Sequence, residues 1–181
     1  ALEAGGGLRG AKLEVLCDTT VPFERAAEEY APQKGASREQ VGRLTSRLIA
    51  LAGILPRDPR GRTMTGAAGG LSGGLWAALG AHLIPGAATV LGMLGFDRRL
   101  EEAGAVITGE GRFDRQSLEG KLTAEIARRC RRARVPLHLI AGEVAAPDRL
   151  AELGISSCAE AGELVAIADA AEAVALGPTG R

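Results

Sequence analysis

The stretch Ala105-Val106-Ile107-Thr108-Gly109-Glu110-Gly111-Arg112-Phe113-Asp114-Arg115-Gln116-Ser117-Leu118-Glu119-Gly120-Lys121, with residues 123–134 and Val135-Pro136-Leu137-His138-Leu139-Ile140-Ala141-Gly142-Glu143 beyond it, decides the fold class. Ala105–Thr108 is short, β-branched and followed by glycine, the pattern of a buried parallel strand. Thr123–Arg134 reads as an arginine-rich amphipathic helix ended by Pro136, and Leu137–Ala141 as a second apolar strand closing at Gly142-Glu143. Strand, loop, helix, strand is a βαβ unit. It predicts an α/β fold with a right-handed crossover and with ligands outside the carboxyl ends of the strands, where the Gly109–Lys121 loop and the Gly142 turn both fall. Past this unit the sequence predicts a helix from Pro147 to Leu153 and then a frayed, Ala-rich tail.

Upstream, Lys12-Leu13-Glu14-Val15-Leu16-Cys17 alternates and then turns apolar, a strand that leaves Asp18 at its carboxyl end. Ser37-x-x-Gln40 has the form of a capping box. Val41, Leu44, Leu48, Leu51 and Leu55 follow at helical spacing, so this helix should bury one face and turn Arg38, Arg43 and Arg47 to water. Pro56–Arg62 holds two prolines and three arginines without periodicity and reads as a surface loop. Gly66-Ala67-Ala68-Gly69-Gly70 opens a small-residue helix through Leu79, and Gly86–Leu94 is a second apolar segment.

Composition bounds the rest. The 181 residues suit one large or two small domains, and 46% hydrophobic content is enough for a core. Twenty-two Lys plus Arg balance twenty-two Asp plus Glu, which argues against a nucleic-acid polymer as partner. The aromatics are only Phe23, Tyr30, Trp76, Phe96 and Phe113, too few for a base-stacking platform or an aromatic-rich β-sandwich. Cys17, Cys130 and Cys158 form no metal or redox spacing and are expected to be reduced thiols in a cytoplasmic protein. No charged residue lies between Arg62 and Asp97, yet nine glycines and Pro85 there argue against a membrane role.

Two glycine-rich segments, Gly66–Gly74 and Gly109–Lys121, are candidates to cradle phosphate with backbone amides at a helix start. Neither matches a named phosphate loop: the Walker spacing puts Arg at 115, and the dinucleotide spacing puts Asp at 114. The second carries the charge types phosphoryl transfer needs. Arg112, Arg115 and Lys121 are candidates to neutralise phosphate, Glu110 to hold a metal, and Asp114 to act as base or second metal ligand. The alternative is a solvated loop whose charges pair with one another. Gly70-Leu71-Ser72-Gly73-Gly74 also satisfies the G-x-S-x-G nucleophile elbow, with Asp97 or Asp114 and His138 following in hydrolase order, but no convincing strand precedes it.

The segment Ile107–Lys121 closely resembles the bacterial glycerate kinase family that phosphorylates the 2-hydroxyl of glycerate. Cys17-Asp18 with Pro32-Gln33-Lys34-Gly35-Ala36, then Gly66–Leu71, then Val135-Pro136 leading to Ala141-Gly142 agree in order. The resemblance implies a glycerate-kinase-like α/β fold, with residues 1–100 mostly part of an inserted α/β domain, residues 101–181 a portion of a Rossmann-like parallel sheet, and an active cleft between the domains. It implies ATP and Mg²⁺ as cofactors and glycerate as substrate, with pairing of two chains left open. These positions match the family's motifs, and charge and geometry assign the roles: Asp114, Arg112 and Lys121 are the expected catalytic residues. Gly66, Gly69, Gly70, Gly109, Gly111, Gln116 and Lys34 are expected to bind substrate or phosphate, and Glu110 and Asp18 the metal.

The family's Asp-Ser-Phe-Lys-Gly segment and its Gly-, Ser- and Asn-rich loop have no counterpart here, and Val21–Ala27 is shorter than the family's loop and lacks its glycine. The expectation is therefore a fragment or truncated form of such an enzyme. The second expectation is a non-catalytic remnant that binds an acidic metabolite or a partner, and the third a serine hydrolase using Ser72.

Overall fold

The computed structural model describes residues 10–114, 117 and 122–176. The chain divides into two compact units, residues 1–86 and 87–181, where the domain boundary was expected near 100. Leu91 and Leu100 join the same buried cluster as Phe113, Ile126 and Leu139.

In the first unit β1 (Glu14–Cys17) is followed by α1 (Ala26–Tyr30), α2 (Arg38–Ala52), α3 (Leu71–Leu79) and β2 (His82–Pro85). β1 and β2 run parallel, in register from Glu14↔His82 to Cys17↔Pro85. β2 was hidden in the apolar run around His82. Phe23, 1% exposed, anchors the unit, and its backbone N–H donates to Thr65 Oγ1 at 2.9 Å. A side chain on Gly66 would place its Cβ 2.6 Å from the Pro22 carbonyl oxygen, so only glycine allows this close approach. The capping box at α2 forms as the sequence predicts: Gln40 N–H donates to Ser37 Oγ, and Ser37 N–H donates to Gln40 Oε1 at 2.7 Å.

The face of α2 departs from expectation. Within α2 only Ala52 is buried, while Leu44 and Leu51 remain 38% and 43% exposed. The stripe borders an open groove of about 730 Å³ together with Ala26, Tyr30 and Ile54. The basic loop is anchored: Arg57 and Arg62 stand over the Trp76 ring at 4.4 and 4.8 Å, and Arg60 pairs with Asp58 and holds its carboxyl down to about 2.

The second unit runs α4 (Gly86–Met93), α5 (Phe96–Glu102), β3 (Val106–Phe113), α6 (Leu122–Ala133), β4 (Leu137–Val144), α7 (Asp148–Leu153), β5 (Ser157–Glu160) and α8 (Leu164–Leu176). Its three parallel strands lie in the order β3-β4-β5. The βαβ unit is present. β3, however, continues through Gly109, Glu110, Gly111 and Arg112 to Phe113, and β4 through Gly142 and Glu143 to Val144. Residues expected in a loop and a turn are thus paired, Gly109↔Ile140, Glu110↔Ala141 and Arg112↔Glu143, and Gly111 makes no turn. A Cβ on Gly142 would lie 2.6 Å from the Gly111 carbonyl oxygen, so these glycines serve close strand approach. Phe113, fully buried, ties the extended end of β3 into the core.

α6 stops where Arg134 adopts a left-handed φ of 59°, with Val135 N–H donating to the Cys130 carbonyl at 3.0 Å and Arg134 N–H to that of Arg131 at 3.2 Å. Residues expected to fray instead form β5, paired with β4, and α8. All three cysteines are free, and burial pushes each thiol's pKa up. Among the described residues no helix is long and apolar enough to cross a membrane.

Candidate active site

Extension of β3 moves the charged residues from a loop onto a strand end. Along this end Glu110 is half-buried and Arg112 exposed, and Phe113 enters the core cluster. Just past the strand Asp114 and Ser117 are bonded twice: Ser117 N–H donates to the Asp114 carbonyl at 3.0 Å, and Asp114 N–H donates to Ser117 Oγ at 3.1 Å. The Ser117 hydroxyl in turn donates to Glu110 Oε2 at 2.9 Å. This links Glu110 to Asp114 through one buried serine.

Arg112 bridges the two strand ends, with Nη1 at 3.2 Å from Glu143 Oε2 and Nε at 3.9 Å from Asp114 Oδ2. The Arg112 and Glu143 side chains are 60% and 52% exposed, so these pairs add little stability and leave the guanidinium accessible to an anion. Glu110 also borders a cavity of about 440 Å³ beside the strand ends, with Gly109, Gly111, Gly142, Ile140 and Ile167. Its Oε1 is buried and meets no hydrogen-bond donor among the described residues. A carboxylate oxygen left without a donor is a hard acceptor of the kind Mg²⁺ takes, one or two per site with phosphate and water completing the shell. No group of three or more acidic, His or Cys ligands gathers among the described residues. Glu110 therefore fits the metal the sequence implied.

The remaining expected residues are placed as follows. Gly109 and Gly111 lie in β3 beside Glu110. Lys121 and Gln116 lie outside the described residues. Asp18 is exposed just past the end of β1, in the first unit. Lys34 ends an exposed 3₁₀ turn, Pro32–Lys34, and borders a hollow shared with Arg43 and Arg47. Gly66 precedes a 3₁₀ turn, Ala67–Gly70, and the amides of the segment are largely engaged: Gly66 N–H donates to the Val21 carbonyl at 2.8 Å and Gly70 N–H to that of Gly66 at 3.1 Å. Those two amides are not free for phosphate, whereas Gly69 lies on the exposed side of the turn. Ser117 and Glu143 were not singled out by sequence reasoning. The signal for Ser117 was its place in the charged segment, and for Glu143 its position beside Gly142 at a strand end.

The elbow reading of Ser72 is overturned. Ser72 is 1% exposed on α3, follows a 3₁₀ turn instead of a strand, and donates its hydroxyl to the Met64 carbonyl at 2.7 Å. His138 sits in β4 with Nδ1 2.7 Å from Ser157 Oγ. A fluorophosphonate probe is expected to leave the folded protein unlabelled, and a covalent adduct on Ser72 found by peptide mapping would contradict this assignment.

Residues 4–175 match the model of the glycerate kinase family. Over 140 residues the chain is 39% identical to a glycerate kinase of Halalkalibacterium halodurans, a match covering 74% of this chain and 37% of that protein. It is 33% identical over 144 residues to the glycerate 2-kinase of Escherichia coli K12, covering 76% of this chain and 38% of that protein. The crystal structure of a candidate glycerate kinase 2 from Salmonella typhimurium LT2 superposes with a TM-score of 0.57 at 33% identity, covering 91% of this chain and 46% of that one. The chain thus spans less than half the length of the relatives it matches.

Proposed function

Within the glycerate kinase family, to which this chain belongs, we propose that the carboxyl end of β3 forms part of a site transferring the γ-phosphoryl group of ATP to the 2-hydroxyl of glycerate. The observation that carries this reading is the Glu110–Ser117–Asp114 linkage beside Arg112, within the residues matched to the family. The glycerate 2-oxygen attacks the γ-phosphorus and the bond from phosphorus to the β–γ bridging oxygen breaks, giving 2-phosphoglycerate and ADP. Asp114 orients the hydroxyl and accepts its proton. Arg112 meets the substrate carboxylate or the moving phosphoryl group, where a guanidinium offsets developing charge. Glu110 Oε1 would hold Mg²⁺, whose charge would offset that of the phosphate.

Lys121 is proposed as a further cation for phosphate, and Gln116 and Gly111 as contacts to substrate. Asp18, Lys34, Gly66, Gly69 and Gly70 are proposed as metal or ligand contacts on their match to the family's motifs alone; for Gly66 and Gly70 a backbone contact requires their present hydrogen bonds to open. Residues 1–86 are proposed as part of the inserted domain and 87–181 as part of the Rossmann-like one. Three free thiols suit a reducing compartment, and cytoplasmic action is part of the proposal.

The test is ³¹P NMR of the chain with ATP, Mg²⁺ and glycerate. Growth of a 2-phosphoglycerate resonance in step with ADP is the expected result. Calorimetric binding of glycerate or nucleotide with no product would instead favour the non-catalytic binding role, a reading prompted by the chain's coverage of less than half of its relatives.

A further inference from the structure

We propose that Ser117 is a positioning residue that makes Glu110 a one-oxygen ligand, an inference resting on the proposed role of Glu110 as cation holder. Ser117 is fully buried, and its hydroxyl has one proton to give. The Asp114 N–H can only donate, so at 3.1 Å it takes the acceptor side of Ser117 Oγ. The hydroxyl proton is thereby directed to Glu110 Oε2 at 2.9 Å, in a charge-assisted bond. That bond fixes the carboxylate plane and occupies one oxygen. Oε1, buried and without a donor among the described residues, is left as the single site for a cation. The same serine is bonded twice to Asp114, so one residue sets both the ligand oxygen and the start of the segment bearing the proposed base.

Gly109 and Gly111 flank Glu110 and have no side chain to offer, and Arg112 is turned toward Glu143 and Asp114.

The test uses Mn²⁺ as a stand-in for Mg²⁺, its binding read by electron paramagnetic resonance on the wild-type chain and on Ser117→Ala, Ser117→Cys and Glu110→Gln. Ser117→Ala is expected to weaken Mn²⁺ binding about tenfold, with full occupancy recovered at higher Mn²⁺, because the ligand oxygen is present but no longer held. Circular dichroism without Mn²⁺ separates this from a lost fold, because a residue serving only to hold the fold would lower the affinity no further than it lowers the folded fraction. Ser117→Cys keeps a weak donor on a slightly larger side chain, is the variant that decides if the alanine variant fails to fold, and should fall between wild type and alanine. Wild-type affinity in folded Ser117→Ala or Ser117→Cys, with Glu110→Gln weakened, overturns the positioning role and leaves the cation site standing. Wild-type affinity in Glu110→Gln overturns the cation role of Glu110 and the role of Ser117 with it.

Discussion

Replacing Asp114 by alanine is expected to lower glycerate-dependent ADP production by about 10²- to 10⁴-fold, the range general-base removal ordinarily costs. The side chain is half-buried just past β3, and the two bonds to Ser117 are made by backbone and Ser117 groups that the substitution leaves in place. The thermal midpoint should therefore move little. Asp114→Asn separates the two parts of the role: an amide can orient the glycerate hydroxyl but cannot take its proton, so a rate near that of the alanine variant assigns proton transfer. A folded alanine variant with an unchanged rate would remove Asp114 from the mechanism.

Arg129→Met should destabilise the second unit by about 3 kcal/mol, the lower end of the cost of breaking a buried ion pair. The Arg129 guanidinium is 8% exposed and donates to Glu125 Oε1 at 2.7 Å, Asp97 Oδ2 at 2.9 Å and the Ala88 carbonyl at 2.9 Å. Methionine fills the space but leaves the Ala88 carbonyl without this donor and Glu125 with Arg128 as its remaining partner. That surviving pair is why the lower end applies. Hydrogen exchange along α6 reads the effect, since Trp76 fluorescence reports the other unit. A loss below about 1 kcal/mol would contradict the assignment.

The same cluster predicts a pH dependence. The hydrogen bond from Arg128, with help from Arg129, holds the Glu125 carboxyl below the usual carboxylate range. A group whose folded pKa is depressed stabilises fully above its unfolded value, about 4.3 for glutamate, and loses that contribution as pH falls through the folded value. The second unit should weaken on acidification below that point, and less steeply in Arg129→Met.

What could be read from the sequence follows from which interactions are local. The capping box at Ser37, the alternation ending at Cys17 and the apolar periodicity of α6 depend on near neighbours, and each appears where expected. The extension of β3 depends on a partner. Glycine and charge are rare inside strands, so Gly109–Arg112 reads as a loop until β4 pairs with it and Phe113 is drawn into the core. β2 and β5 are four residues each and take their identity from β1 and β4. At the site, charge type and order singled out Glu110, Arg112 and Asp114. The bridging serine could not be found that way, because its role comes from a bond back to a strand residue seven positions earlier. At Gly66 and Gly70 composition shows a permissive backbone but not that its amides are engaged by nearby carbonyls.

Chemical-shift mapping of backbone amides in the ¹⁵N-labelled chain during titration with ATP and Mg²⁺ tests the central claim most directly. The largest changes should fall on Gly109–Asp114 and on Gly142 and Glu143. Changes centred on other segments, with these amides unmoved at saturating nucleotide, would contradict the placement of the phosphoryl-transfer site at the end of β3.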